Sequence, residues 1–304
     1  MSGGERTEER PSLEIVRAAM TSFGVTLADA AEGWRGEESV GWRGSSAHGD
    51  RFVQRLPVWR EEAELAWCDS VAEAASSEAP VCVRAVRTHD GRSVVTTSEG
   101  PLMVFPFVEG THPDLDHDIA MQAAELLAAM HRGLVTWSGT TKPRGGVAAA
   151  PGIGPMGVLA DDALDRWERS LEHRFPRFPI HGDFYAGNLL AEGGRISGVI
   201  DWSESDVGYM EQEVAWAAWE FCQNESGDDL EASPAEDFLQ TYLASDGPAL
   251  VAPPFDPLQW IRRRLRSEAR AWFADPRSVA EPSTYHEAQL RAFERLRTRR
   301  LPGR

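Results

Sequence analysis

The chain has 304 residues and an ordinary apolar fraction, enough for one two-lobed domain or two small ones, each with its own core. Its 31 basic and 48 acidic side chains give a formal charge of −17, which argues against a nucleic-acid backbone as partner and tolerates a cationic small molecule better. No run of eighteen apolar residues exists and the start, MSGGERTEER, is polar, so neither a membrane span nor a secretory signal is expected and the address is read as cytoplasmic.

Residues 1–10 read as disordered. Ser12 to Phe23 carries Leu13, Val16, Ala19, Met20 and Phe23 at helical spacing, which predicts an amphipathic helix. A stretch rich in Gly and charge follows, read as short strands: one over Ser39–Arg43, a turn over Gly44–Gly49, a second strand over Arg51–Leu56. Glu64 begins a helix with Leu65, Cys68, Val71 and Ala72 on one face. Pro80–Val86 and Ser93–Thr97 read as further strands, and Pro101–Gly110 as an apolar strand ending in Gly. Asp116–Gly133 reads as a helix with Ile119, Ala123, Leu126, Leu127 and Met130 inward, His131 being a core histidine near its end. Leu134 to about Phe175 is rich in Pro and Gly and reads as a loop, with a helix over Asp161–His173. The three cysteines, Cys68, Cys82 and Cys222, fit neither a zinc spacing nor a disulfide framework.

The informative stretch is Phe178 to Trp202, FPIHGDFYAGNLLAEGGRISGVIDW. Asp183 follows His181 and Gly182, Asn188 comes five residues after Asp183, and Asp201 thirteen after Asn188. Two short apolar segments separated by Glu192, Gly193 and Gly194 predict a hairpin that sets Asn188 beside Asp201. One carboxamide and one carboxylate suit a magnesium ion carrying a nucleotide, with water and phosphate oxygens completing its octahedron, and Asp183 is then the base. Beyond Trp202 a loop leads into a helix with Val214, Ala217, Ala218 and Phe221 on one face, and further helices span Ala235–Leu243, Pro257–Phe273 and Thr284–Arg300. Arg262, Arg263, Arg264 and Arg266 read as a solvated helix face.

A catalytic Asp, an Asn five residues on and a metal-binding Asp after a hairpin is a kinase arrangement. HGD in place of HRD, and IDW in place of DFG, resemble the aminoglycoside phosphotransferase and choline kinase branch of that fold. The resemblance implies an α+β, bilobal protein-kinase-like fold: a small N-terminal β-sheet lobe over residues 1–107 that binds nucleotide, and a larger, mainly helical C-terminal lobe over 108–304 that carries catalysis and acceptor binding. It implies that Gly41 and Gly44 belong to the loop over the phosphates, although the full GxGxxG is absent. It sets Arg55 where the family presents a phosphate-holding Lys, paired with Glu64; Glu61 and Glu62 are rival partners, and an exposed Arg on an edge strand is the plain alternative. Backbone groups of Phe105, Phe107 and Val108 would meet adenine at the hinge, Pro106 having no N–H. Glu213 would brace the catalytic loop through His181.

The implied reaction is transfer of the γ-phosphoryl group of ATP, or GTP, to a hydroxyl of a small acceptor, for which aminoglycosides, other antibiotics, choline-like alcohols, homoserine and sugars are all open. Asp183, His181 and Asn188 form the catalytic set, and Asn188 and Asp201 hold Mg2+. Glu204, Asp206 and Glu220 are candidates for a cationic acceptor, with Trp202, Trp216 or Trp219 as stacking partners. The alternatives are a pseudokinase that binds nucleotide or ligand without transfer, favoured by the absent Lys and the poor Gly loop, and a hydrolase, for which no nucleophile motif is present. Oligomeric state is not readable.

Overall fold

Alternation of apolar residues organises the first part of the computed structural model, which describes residues 13–27, 33–35, 39–143, 156–252, 255–274 and 284–299. In chain order come α1 (Leu13–Met20), β1 (Val25–Thr26), β2 (Gly33–Arg35), β3 (Val40–Ser46), β4 (Gly49–Arg55), α2 (Glu62–Ser76), β5 (Val94–Thr97) and β6 (Gly100–Pro106). The strands make one antiparallel sheet in the order β1-β3-β4-β6-β5, with β2 also paired to β3. Trp42 lies opposite Val53, and Val53 opposite Val104, so they share a face. That face, with Leu102, packs against Val16, Met20 and Phe23. The other face carries Met103, which packs with Leu56, Val94 and Leu65 of α2. Each apolar side chain buried in this way contributes about 1.5–3 kcal/mol.

The turn expected over Gly44–Gly49 is shorter. β3 runs on to Ser46 and β4 starts at Gly49, so Gly41 and Gly44 stand within a strand and not in a loop. A Cβ on Gly41 would lie 2.2 Å from the Phe52 ring and one on Gly44 2.7 Å from Val25, so neighbouring side chains fill both places.

The second unit gathers Ser70–Val83, Val108–Lys142 and the described chain beyond residue 147. It contains α3 (His117–Val135), α4 (Met156–Leu159), α5 (Asp162–Ser170), β7 (Phe178–Ile180), β8 (Leu189–Glu192), β9 (Arg195–Val199), β10 (Asp206–Gly208), α6 (Met210–Cys222), α7 (Ala232–Ala244), α8 (Pro257–Ala274) and α9 (Thr284–Leu296). Asp116 and Asp161 cap α3 and α5, accepting the N–H of Ile119 at 2.8 Å and of Leu164 at 2.9 Å. α6 is apolar nearly all round, with Val214, Ala215, Ala217, Ala218 and Trp219 buried, and packs against α3, α7 and α8 as a central helix.

Two further expectations need correction. Pro80–Val86 is not a strand of the sheet: Cys82 makes an isolated parallel bridge to Val199, and Val83 N–H donates to Val199 O at 2.9 Å. The arginines of α8 are not a solvated face either. Arg262 and Arg266 are buried, Arg262 hydrogen-bonding to Asp161 and Arg266 forming ion pairs with Asp165 at 2.7 Å and Glu168 at 2.9 Å. Burial of α8 against α5 demands those counter-charges. The disorder expected of residues 1–10, and residues 144–155 of the Gly- and Pro-rich stretch, lie outside the described residues. No helix among the described residues is long and apolar enough to cross a membrane.

Candidate active site

The segment from β7 to Trp202 builds the site within the second unit. Gly182 adopts φ +87°, and a Cβ there would lie 2.3 Å from the carbonyl oxygen of Glu204, so the close approach of two backbones admits only glycine. On one side of it, the His181 ring is fully buried. Asp183 N–H donates to its Nδ1 at 3.3 Å, which makes Nδ1 the acceptor and Nε2–H the donor to Ile200 O at 3.1 Å. Trp202 lies against the same ring at 4.6 Å between centroids.

Asn188 ties the loop to the hairpin. Its Nδ2 donates to Asp183 O at 2.8 Å and to Asp183 Oδ2 at 2.9 Å, and its backbone oxygen accepts the N–H of Ile200 at 2.9 Å. Both amide hydrogens are thereby used on Asp183, which leaves Oδ1 of Asn188 for another partner. The two strands β8 and β9 close through Gly193 and Gly194, both at positive φ (57° and 77°), as a two-residue primed turn requires. The hairpin delivers Asp201, a non-glycine residue at φ 57°, ψ 71°. Such a conformation stores about 1–3 kcal/mol of strain, offset here by Ser203, whose N–H and Oγ both donate to Asp201 Oδ1 at 3.3 and 2.6 Å.

These donors fit a magnesium ion. Among the described residues no group of three or more His, Cys, Asp or Glu side chains could cage a metal. Asn188 Oδ1 and the exposed Asp201 carboxylate supply two hard oxygens, and Mg2+ takes few protein ligands while keeping water and phosphate oxygens.

Burial raises the Asp183 carboxyl above the usual range, while His181, Arg264 and Asn188 pull it back and the Asp201 charge adds to the rise. Glu220 of α6 is pushed up to about 7, first by burial and then by the charges of Glu268 and Asp183, with Arg264 opposing. Arg264 Nε donates to Glu268 Oε1 at 2.6 Å, Gln289 of α9 donates to Glu268 Oε2, and the guanidinium lies 5.5 Å above the Trp216 ring. Glu220 of α6 and Glu268 of α8, with Gln289 of α9 beside them, thus form an acidic face, whose Arg264 helps pull the Asp183 carboxyl back while the Asp183 charge raises Glu220.

Residues 35–254 match the family described as the phosphotransferase enzyme family. The chain belongs to that family. It is 32% identical over 111 residues to a hygromycin-B 4-O-kinase of Escherichia coli, covering 31% of this chain and 32% of that one. To a homoserine kinase of Zymomonas mobilis it is 25% identical over 158 residues, 47% and 49% of the two chains. The chain thus spans a third to a half of the length of these curated relatives. Among solved structures, an amicoumacin kinase bound to AMP-PNP and Ca2+ superposes with a TM-score of 0.68 at 12% identity, over 94% of this chain and 92% of that one. At that identity the likeness speaks for the fold, which is kinase-like.

Of the residues singled out in this phosphotransferase-family chain, His181, Asp183, Asn188, Asp201 and Glu220 come together. Trp202 does not face an acceptor: it is buried on His181. Glu204 and Asp206 are exposed, Asp206 accepting the N–H of Val207 at 2.7 Å. In the first unit the Arg55–Glu64 pair is not formed. Arg55 lies opposite Leu102, on the face that α1 covers, and donates to Glu99 O at 3.0 Å. α2 packs on the other face, and Glu64 pairs with Arg60 one helical turn before it, at 3.0 Å and buried. Phe107 N–H donates to Asp50 O at 3.1 Å, so it is not open for adenine. The brace by Glu213 reaches the loop at Gly182 N–H, 2.6 Å away, rather than through a bond to His181. Sequence reasoning missed Arg264 and Glu268, whose charges bear on Glu220, and Tyr285, whose hydroxyl burial and then the Glu268 and Glu220 charges hold protonated; the spacing of Arg264 and Glu268, four apart on a helix, is a usable signal. The carbonyl of Ser205, next to this region, accepts from Lys142 Nζ at 2.7 Å.

Proposed function

We propose that the protein transfers the γ-phosphoryl group of a nucleoside triphosphate, ATP or GTP, to a hydroxyl of a small, amine-bearing acceptor. The observation that supports this most is the Asn188 bridge, which holds Asp183 Oδ2 and leaves Oδ1 to meet a hydroxyl. In the reaction the acceptor oxygen bonds to the γ-phosphorus as the bridging P–O bond breaks, and the hydroxyl proton passes to Asp183. The raised affinity of Asp183 for a proton suits that role. Asn188 Oδ1 and Asp201 would hold Mg2+, which neutralises charge on the phosphates. Pro106 lacks an N–H and the Phe107 N–H is used on Asp50 O, which favours Val108 N–H over Phe107 as the hinge donor to adenine. Glu268, and Glu220 once it has released its proton near pH 7, supply negative charge for an ammonium group on the acceptor.

The test is a screen for transfer of labelled γ-phosphate to hydroxyl compounds, amino alcohols and aminoglycosides first, with Asp183→Asn in parallel. Transfer by the parent and none by the variant is expected. Nucleotide binding that depends on Mg2+, with no transfer to any acceptor, would replace this reading by a binding protein.

A further inference from the structure

One buried hydrogen-bond chain of the second unit ends on the loop that carries Asp183. Ala249 N–H donates to the Tyr242 hydroxyl at 3.0 Å, so the hydroxyl proton is turned to His131 Nδ1, 2.8 Å away. His131 Nε2–H then donates to Glu213 Oε2 at 2.8 Å, and Glu213 Oε1 accepts Gly182 N–H at 2.6 Å. The Ala249, Tyr242 and His131 donors all point toward Glu213, and the loop's Gly182 N–H meets the same carboxylate from the other side, so one arrangement of protons satisfies the whole chain. Tyr242 and His131 are fully buried and Glu213 is 5% exposed. Water is therefore not at hand to replace a lost link.

We propose that Tyr242 and His131 are positioning residues: by presenting one fixed donor to Glu213 Oε2, they aim Oε1 at Gly182 N–H and so set the direction in which Asp183 leaves the loop. The geometry gives reasons to expect more than general core stability. Gly182 is gripped from two sides, by Glu213 at its N–H and by the Glu204 carbonyl at its Cα, so rotation of the Glu213 carboxylate is transmitted to the next residue. Burial pushes the Glu213 carboxyl up, but the hydrogen bonds from His131 and Gly182 and the neighbouring imidazoles of His131 and His181 hold it below its usual range, so it acts as an ionised acceptor. Burial likewise keeps Tyr242 protonated as a donor. The role lies beyond the brace expected of Glu213 alone, since α3 and α7 contribute the two residues that orient it.

The experiment is amide hydrogen exchange, read at Gly182 and at Leu127 in the core of α3, in the full chain and three variants. Tyr242→Phe should speed exchange at Gly182 on the order of tenfold and His131→Leu by more, with Leu127 unchanged relative to the parent. His131→Gln, which keeps a donor for Glu213, should return Gly182 to within about threefold of the parent. Equal acceleration at Gly182 and Leu127 would mean that the chain only stabilises the core, and no change at Gly182 in Tyr242→Phe would overturn the proposal outright. If His131→Leu does not fold, the other two variants decide it. Only the catalytic consequence rests on Asp183 as base; exchange is read without phosphotransfer, so failure of one reading is told from failure of the other.

Discussion

The loop from Phe178 to Trp202 and the acidic face formed by α6, α8 and α9 hold charge in opposite ways. In the loop, Asp183, Asn188 and His181 are fixed largely through backbone groups of the same short segment: Asp183 O and N–H, Ile200 O and N–H. On the acidic face, charge is answered by charge, Arg264 by Glu268, and Glu220 is left to be shifted by its neighbours. Backbone partners do not titrate or swing, so the first arrangement suits a reaction that needs atoms within a fraction of an ångström. The second suits recognition, because its strength changes with protonation and with the cation that arrives.

The contrast can be broken most sharply in the loop. Asp183→Asn should lower phosphotransfer by about two to four powers of ten while the thermal melting midpoint stays near the parent's, because the amide still accepts from Asn188. Parent-like turnover with a genuine acceptor would remove Asp183 from the role of base. Asp201→Ala should weaken nucleotide binding in Mg2+ on the order of tenfold and leave binding in EDTA nearly unchanged, as followed by calorimetry. Equal losses in both would make Asp201 a structural cap of its turn.

The acidic face predicts a pH effect instead. The Glu220 carboxyl is raised from 4.5 to about 7 in the folded chain, so the folded state holds a proton that the unfolded state has already released. Stability from this group is present at low pH and lost as pH rises through that interval. Glu220→Gln should therefore gain stability relative to the parent as pH rises from about 4.5 to about 7, with no further gain above it, measured as the difference in melting midpoints. A difference independent of pH would show Glu220 to be solvated. The smallest effect is expected of Arg264→Gln, which removes the opposing charge and should move the same transition to higher pH.

The two regions also differ in how far they could be read from residues alone. The loop was legible because its contacts are local: five residues separate Asp183 from Asn188, and Gly193-Gly194 fixes the hairpin that returns the chain to Asp201. The fold class followed from the same motif. Arg55 was misplaced for a reason that strand geometry supplies, since Val53 and Arg55 are two apart and must share a face, the one that α1 covers. Partners distant in sequence left no local trace. Arg262 finds Asp161 a hundred and one residues earlier, and His131 finds Glu213 across eighty-two. In those cases the sequence contains both members but nothing in the spacing that couples them.

Lys142 is the sole lysine of the chain, and its ammonium group bonds to the Ser205 carbonyl, one residue past the glutamate whose own carbonyl crowds Gly182. For a chemist this makes the molecule a single-handle substrate for reagents that acylate ε-amines. A fluorophore attached there would sit at one defined place, and its attachment would remove the charge and hydrogens that now hold Ser205. Labelling rate thus becomes a gauge of how often that contact opens, read without mutating any residue of the loop.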